Sequence, residues 1–156
     1  MTFTACACPE CQAMCQRRPC WPTPQDAQRL MAAGYADRLM IDWWFDREQA
    51  KTVFVLTPAL AGHESGEAPA QPSGRCTFLT ADNLCDLHAL DLKPTEGRLA
   101  LCHDRTPPNL HEQIGQTWNG DEGRNLIDRW EADPPRGRRA FFAAQSNQRR
   151  KTRRKE

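Results

Sequence analysis

Apolar residues are sparse along this chain and fall in short blocks, so its elements emerge block by block. Over residues 1–20 they follow no period, and the segment predicts a loop. Thr23, Pro24 and Asp26 then form a helix start: a capping hydroxyl, a proline suited to the first turn, and an acid three residues after the cap. Ala27, Leu30 and Met31 give that helix one apolar stripe, and Gly34 ends it. Residues 36–45, ending in Trp43, Trp44 and Phe45, predict a second short helix whose aromatic end is expected in the core, the alternative being a hydrophobic patch for a partner. Thr52-Val53-Phe54-Val55-Leu56 is β-branched and aromatic and predicts a strand that Pro58 closes. Residues 61–74, rich in Gly, Pro, Ala, Ser and Glu, predict a surface loop. Two short apolar runs, 76–79 and 84–87, flank Thr80-Ala81-Asp82-Asn83 and predict a hairpin. A helical turn is expected over 94–101. Helices follow over 108–118 and 121–132, separated by Asn119-Gly120, and Pro134-Pro135 stops the second.

Composition changes this picture. Leu, Ile, Val and Phe make up 24 of 156 residues, about 15%. So low a share marks a disordered chain only when net charge is also high, and here the formal net charge is +1. Eight cysteines and five tryptophans predict instead a folded domain held by something besides aliphatic burial. Disulfides or a metal could serve. The N-terminus, Met-Thr-Phe-Thr-Ala-Cys-Ala-Cys, has neither the basic nor the apolar region of an export signal. No apolar run approaches the ~18 residues of a membrane helix. These features predict a cytoplasmic chain without a membrane partner, its thiols reduced unless metallated, and they favour metal over disulfides.

The cysteines fall in two groups. Cys6, Cys8, Cys11 and Cys15 form C-x-C-x2-C-x3-C, with Cys20 after four further residues. Cys76, Cys85 and Cys102 follow more than fifty residues on, with His88 three residues after Cys85 and His103 next to Cys102. Ligands two or three residues apart converge on one centre with little loop-closure cost, and thiolates are soft donors suited to zinc or an iron–sulfur cluster rather than magnesium or calcium. Cys6, Cys8, Cys11, Cys15, Cys76, Cys85 and Cys102 are therefore the candidate metal ligands, and Cys20, His88 and His103 are secondary candidates. Two arrangements satisfy the spacing: one site per group, or one centre shared by both groups that clamps the N-terminal loop onto the later hairpin.

The run Cys-Pro-Glu-Cys-Gln-Ala-Met-Cys (8–15), followed by Arg-Pro-Cys-Trp-Pro-Thr-Pro-Gln-Asp-Ala (18–27), resembles the opening of the YkgJ-type cysteine-cluster family. Gly-Arg-Cys-Thr-Phe-Leu (74–79), Leu-Cys-Asp-Leu-His (84–88) and Lys-Pro-Thr-Glu-Gly-Arg (93–98) resemble its later block. The resemblance spans residues 6–104 with a variable middle. It implies a zinc- or iron-chelating domain and carries a ligand role to Cys8, Cys11, Cys15, Cys76 and Cys85. Larger relatives of this cysteine pattern include flagellin lysine methylases, which implies an iron–sulfur redox protein or enzyme component as the alternative; the chain shows no motif for a methyl-transfer cofactor. It departs from the pattern twice. Relatives often have Cys-Arg where it has Gly97-Arg98, and some have Pro-Gly-Trp where it has Pro19-Cys20-Trp21.

Other chemistry is thin. His111-Glu112 begins H-E-x-x-H, but position 115 is glycine and the zinc-protease motif fails. Cys102-His103-Asp104 holds nucleophile and base types, yet adjacency in sequence does not make a triad. Charge, by contrast, is strongly segregated. Residues 136–156 carry nine Lys/Arg and one Glu, whereas residues 1–135 carry twelve Lys/Arg against nineteen Asp/Glu. The expectation is thus a small α+β domain over residues 1–135, stapled by metal, with a short β-hairpin and several helices. A disordered basic tail over 136–156 follows, either simply solvated or binding nucleic acid through phosphate contacts.

Overall fold

The computed structural model describes residues 9–71, 73–100, 107–132 and 134–154. It is α+β, with seven α-helices and one two-stranded antiparallel sheet among the described residues. In chain order the elements are α1 (Pro9–Arg17), α2 (Pro24–Ala32), β1 (Leu39–Asp46), β2 (Lys51–Pro58), α3 (Asp86–Ala89), α4 (Thr95–Leu99), α5 (Leu110–Gln116), α6 (Asp121–Ala132) and α7 (Gly137–Arg153). No helix among the described residues is long and apolar enough to cross a membrane.

The capping signals are realised at α2. Thr23 accepts the Asp26 N–H and Asp26 accepts the Thr23 N–H, a reciprocal capping box, and Gly34 follows the helix at a positive φ of 93°. The helices expected around Asn119-Gly120 are α5 and α6, joined by a 3-10 turn at Thr117–Asn119.

Five expectations are corrected, the last of them in the C-terminal tail. Residues 9–17 are helical rather than loop. Residues 39–46 form a strand rather than a helix, paired in full register with β2 from Leu39↔Pro58 to Asp46↔Lys51. The first half of β1 is buried on both faces, which hides the alternation that marks a strand, while its aromatic and β-branched content favours the pleated sheet. Within that strand Trp43 and Phe45 turn outward, 46% and 52% exposed, so only Trp44 of the aromatic triplet packs against the core. The segment 76–87 makes a single bridge, Leu79↔Cys85, leading into α3 rather than a two-stranded ladder. The sheet's hairpin is β1–β2. The 61–74 loop also has a structural role, because Gly66 and Ala68 exchange backbone hydrogen bonds with Ile41 and cover the free edge of β1.

The basic tail begins inside the body. Arg136 is 9% exposed, donating to Asp37 Oδ1 at 2.9 Å and to the Trp130 carbonyl at 3.0 Å, and the Gly137 N–H reaches the Ser65 carbonyl at 2.8 Å. Beyond it the tail expected to be disordered is the helix α7, exposed along most of its length.

Tryptophan makes up for the missing aliphatic residues in the core. Trp21, Trp118 and Trp130 are 3%, 1% and 0% exposed. Each also places its indole N–H, on Asp42 Oδ2 at 3.0 Å, the Pro22 carbonyl at 2.8 Å and the Ala36 carbonyl at 2.8 Å respectively. A large ring is thus buried without an unsatisfied donor. Gly115 is required by this packing: a Cβ there would stand 2.8 Å from the Trp44 ring.

Asp26 ties the two halves of the chain together. Beyond its capping role its carboxylate accepts the Thr95 N–H at 2.8 Å, the Thr95 hydroxyl and the Arg98 guanidinium at 3.1 Å, while its side chain is 8% exposed. Asp26→Ala is expected to lower the unfolding free energy by about 3 kcal/mol, because several charge-assisted bonds go at once and Arg98 loses its partner. Urea denaturation measures this; exposed Asp82→Ala, the control, should stay within about 0.5 kcal/mol.

Candidate functional site

Two stretches of chain, distant in sequence, meet at the end of α1. The Cys76 N–H donates to the Cys15 carbonyl at 2.8 Å, and the Gly74 N–H to the Arg17 carbonyl at 2.7 Å. Cys15 lies in the last turns of α1, one turn after Cys11. Past the helix the chain runs extended through Cys20, which is 7% exposed. On the other side, Cys76 and Cys85 bracket a tight loop. Leu79 and Cys85 form its bridge, the Thr80 N–H closes it on the Leu84 carbonyl at 2.8 Å, and Asn83 adopts a left-handed φ of 59°. Arg75 braces the loop through Asn83 Oδ1 at 3.0 Å and the Thr80 carbonyl.

The result is a group of four free thiols, Cys15, Cys20, Cys76 and Cys85, drawn from both cysteine groups. Interaction with the neighbouring Cys20 thiol, opposed by burial and helped by the Lys93 charge, pulls the Cys15 thiol down to about 7. Cys20 moves the opposite way, first because of the same interaction with Cys15 and then because it is buried. Burial pushes Cys76 up to about 12, and negative charge on Cys15 or Cys85 adds to the effect. Cys85 is raised chiefly by burial.

A second set of side chains is gathered around α4, which passes beside Cys20. Glu96 of α4 is 4% exposed and accepts from His111 Nδ1 at 2.6 Å and from Arg18 at 3.3 Å. The His111 ring stacks on Trp21 with centroids 3.7 Å apart. Gly97, next on α4, faces Cys20: a Cβ there would lie 3.3 Å from the Cys20 sulfur. Arg18, Lys93 and Glu96 lie in the segments that carry the resemblance and His111 in the failed H-E-x-x-H motif, but sequence reasoning gave none of the four a place at the site.

Of the other candidates, His88 stands on α3, where Cys85 is the N-cap, and Cys11 lies in α1. Cys6, Cys8, Cys102 and His103 lie outside the described residues. Among the described residues no three His, Cys, Asp or Glu side chains are drawn tightly enough to hold one ion as they stand. Thiols are soft donors, but these four are not converged on a single point. No family model, no curated protein and no solved structure matches the chain.

The thiol chemistry has a direct readout in the reduced, metal-free protein. A thiolate is the nucleophile, so alkylation rises with pH through the pKa of the attacking group. Among Cys15, Cys20, Cys76 and Cys85, iodoacetamide is expected to modify Cys15 first, with a rate midpoint near pH 7. Cys76 and Cys20 should resist until the fold opens. Peptide mapping after timed quenching checks the order, and earlier labelling of Cys76 than of Cys15 would contradict it.

Proposed function

We propose that the chain is a thiolate metal-binding domain in which both cysteine groups share one centre, a zinc ion or an iron–sulfur cluster, and that the metal's role is chiefly structural. The observation that carries this is the meeting of Cys15 and Cys20 with Cys76 and Cys85 behind the Cys15–Cys76 backbone bond. Loops this far apart in sequence gain most from a common tie. Cys20 and Cys76 are also nearly closed to solvent, as in structural sites that keep no open position for substrate. Metal binding at such a site releases the protons that burial holds on its thiols, and its binding energy becomes folding energy.

Cys20 rises in rank on this reading. The two departures from the resemblance, a cysteine at position 20 and a glycine at position 97, face one another across the site. A sulfur supplied from position 20 takes the space that a side chain at position 97 would fill. The two residues then act as an exchanged pair, with one thiol reaching the centre from either side.

The test is metal content in protein purified without oxygen. The wild-type chain is expected to hold one zinc ion, colourless, or iron with labile sulfide and visible absorption; a chain lacking all of these contradicts the proposal. Cys76→Ser and Cys20→Gly should each cut metal content severalfold or more. Cys20→Gly combined with Gly97→Cys should restore it. Full metal content in Cys20→Gly, or no recovery in the double variant, removes Cys20 from the ligand set.

A further inference from the structure

The outer face of the β1–β2 hairpin has no covering element among the described residues, and its chemistry is unusual for a free surface. Trp43 and Phe45 alternate outward along β1, and Trp43 stands directly opposite Phe54 of β2. The first turns of α7 add Phe141 and Phe142, 59% and 62% exposed, their rings edge to face at 5.7 Å. Trp43, Phe54, Arg138, Phe141 and Phe142 line a single open groove of about 490 Å³, with Glu67 as its acidic member. The Arg138 guanidinium lies 4.1 Å over the Phe54 ring while it donates to Glu131 at 2.7 Å. Strand and helix are thus joined in one surface.

The charge on this surface continues along the helix. α7 carries Arg138, Arg139, Arg149, Arg150, Lys151 and Arg153 and no acidic residue, over about 25 Å. Past Ala144 it has no apolar side chain until its end.

We infer that the hairpin face and α7 form one binding surface for single-stranded nucleic acid, with the exposed rings stacking on bases and the arginines tracking phosphates. The pairing of the two chemistries selects this ligand. An acidic protein segment is served by the basic helix alone and leaves four exposed rings without a role. An anionic bilayer needs an apolar face running the length of the helix, and here it stops after two turns. In a duplex the base faces are stacked on one another, whereas in a single strand they are free to meet aromatic rings.

Fluorescence anisotropy of the chain as purified tests this, with labelled 20-mers of oligo-U and oligo-dT. A mixed-sequence duplex of equal length and vesicles containing phosphatidylserine are the competitors. Single strands are expected to bind at least tenfold tighter than duplex, with log affinity falling against log salt at a slope of about −3 to −4 for five phosphate contacts. Trp43→Ala and Phe142→Ala should each weaken binding about 5- to 100-fold with the salt slope unchanged. Arg149→Gln with Arg150→Gln should flatten the slope by about 1.4. Phe141→Ala and Phe142→Ala, on the exposed helix, decide the matter if Trp43→Ala fails to fold. No binding at low salt, equal binding of duplex, tighter binding of vesicles, or aromatic variants that bind like wild type would each overturn the inference.

Discussion

The hydrogen bond from the Cys76 N–H to the Cys15 carbonyl brings together two segments that share no secondary structure and sit sixty residues apart. Its consequence is chemical as well as topological. It draws the half-buried Cys15 to the buried Cys76, where negative charge is costly: the Cys15 thiol is pulled down by its Cys20 neighbour, and burial pushes the Cys76 thiol up. A thiophilic cation is the counter-charge that lets several of these sulfurs ionise together. The proposed metal role follows from that constraint rather than from cysteine count.

The rest of the molecule is arranged so that this junction is held from outside. α4 is the connecting piece. Its Thr95 and Arg98 bind Asp26 of α2, its Glu96 binds Arg18 and His111, and its Gly97 leaves room for the Cys20 sulfur. A five-residue helix has little stability of its own, so these pairs, each with a buried carboxylate and a partly exposed basic partner, fix its position. Trp21, Trp118 and Trp130 supply what aliphatic side chains would in a larger core, and each of these three satisfies its N–H on a backbone carbonyl or a carboxylate, whereas the buried Trp44 N–H has no partner among the described residues.

Much of this was legible in the sequence where the signal is local. The α2 cap, the β2 strand, the α5–α6 pair and the α+β class follow from capping chemistry, β-branching and turn residues. What escaped has a physical reason in each case. β1 is buried on both faces through its first four residues, so the period of two is absent where it would have been diagnostic. α1 has no clear apolar stripe, and its cysteines, which look like loop ligands, are compatible with a helix because they fall one turn apart. α7 is too polar to announce a face. At the site, spacing grouped the cysteines but could not tell one shared centre from two separate ones, since that depends on long-range backbone pairing. Nor could it bring Gly97 against Cys20, a contact between residues seventy-seven positions apart.

A shared metal centre would hold the two cysteine segments together only while the metal is bound. Hydrogen–deuterium exchange before and after verified metal removal, under reducing conditions, measures this at the amides of Gly74 and Cys76 and in the last turn of α1. The predicted result is that these amides lose protection together when the metal leaves, while the β1–β2 ladder keeps its own. Unchanged exchange at Cys76, or loosening of only one of the two segments, would contradict a shared centre.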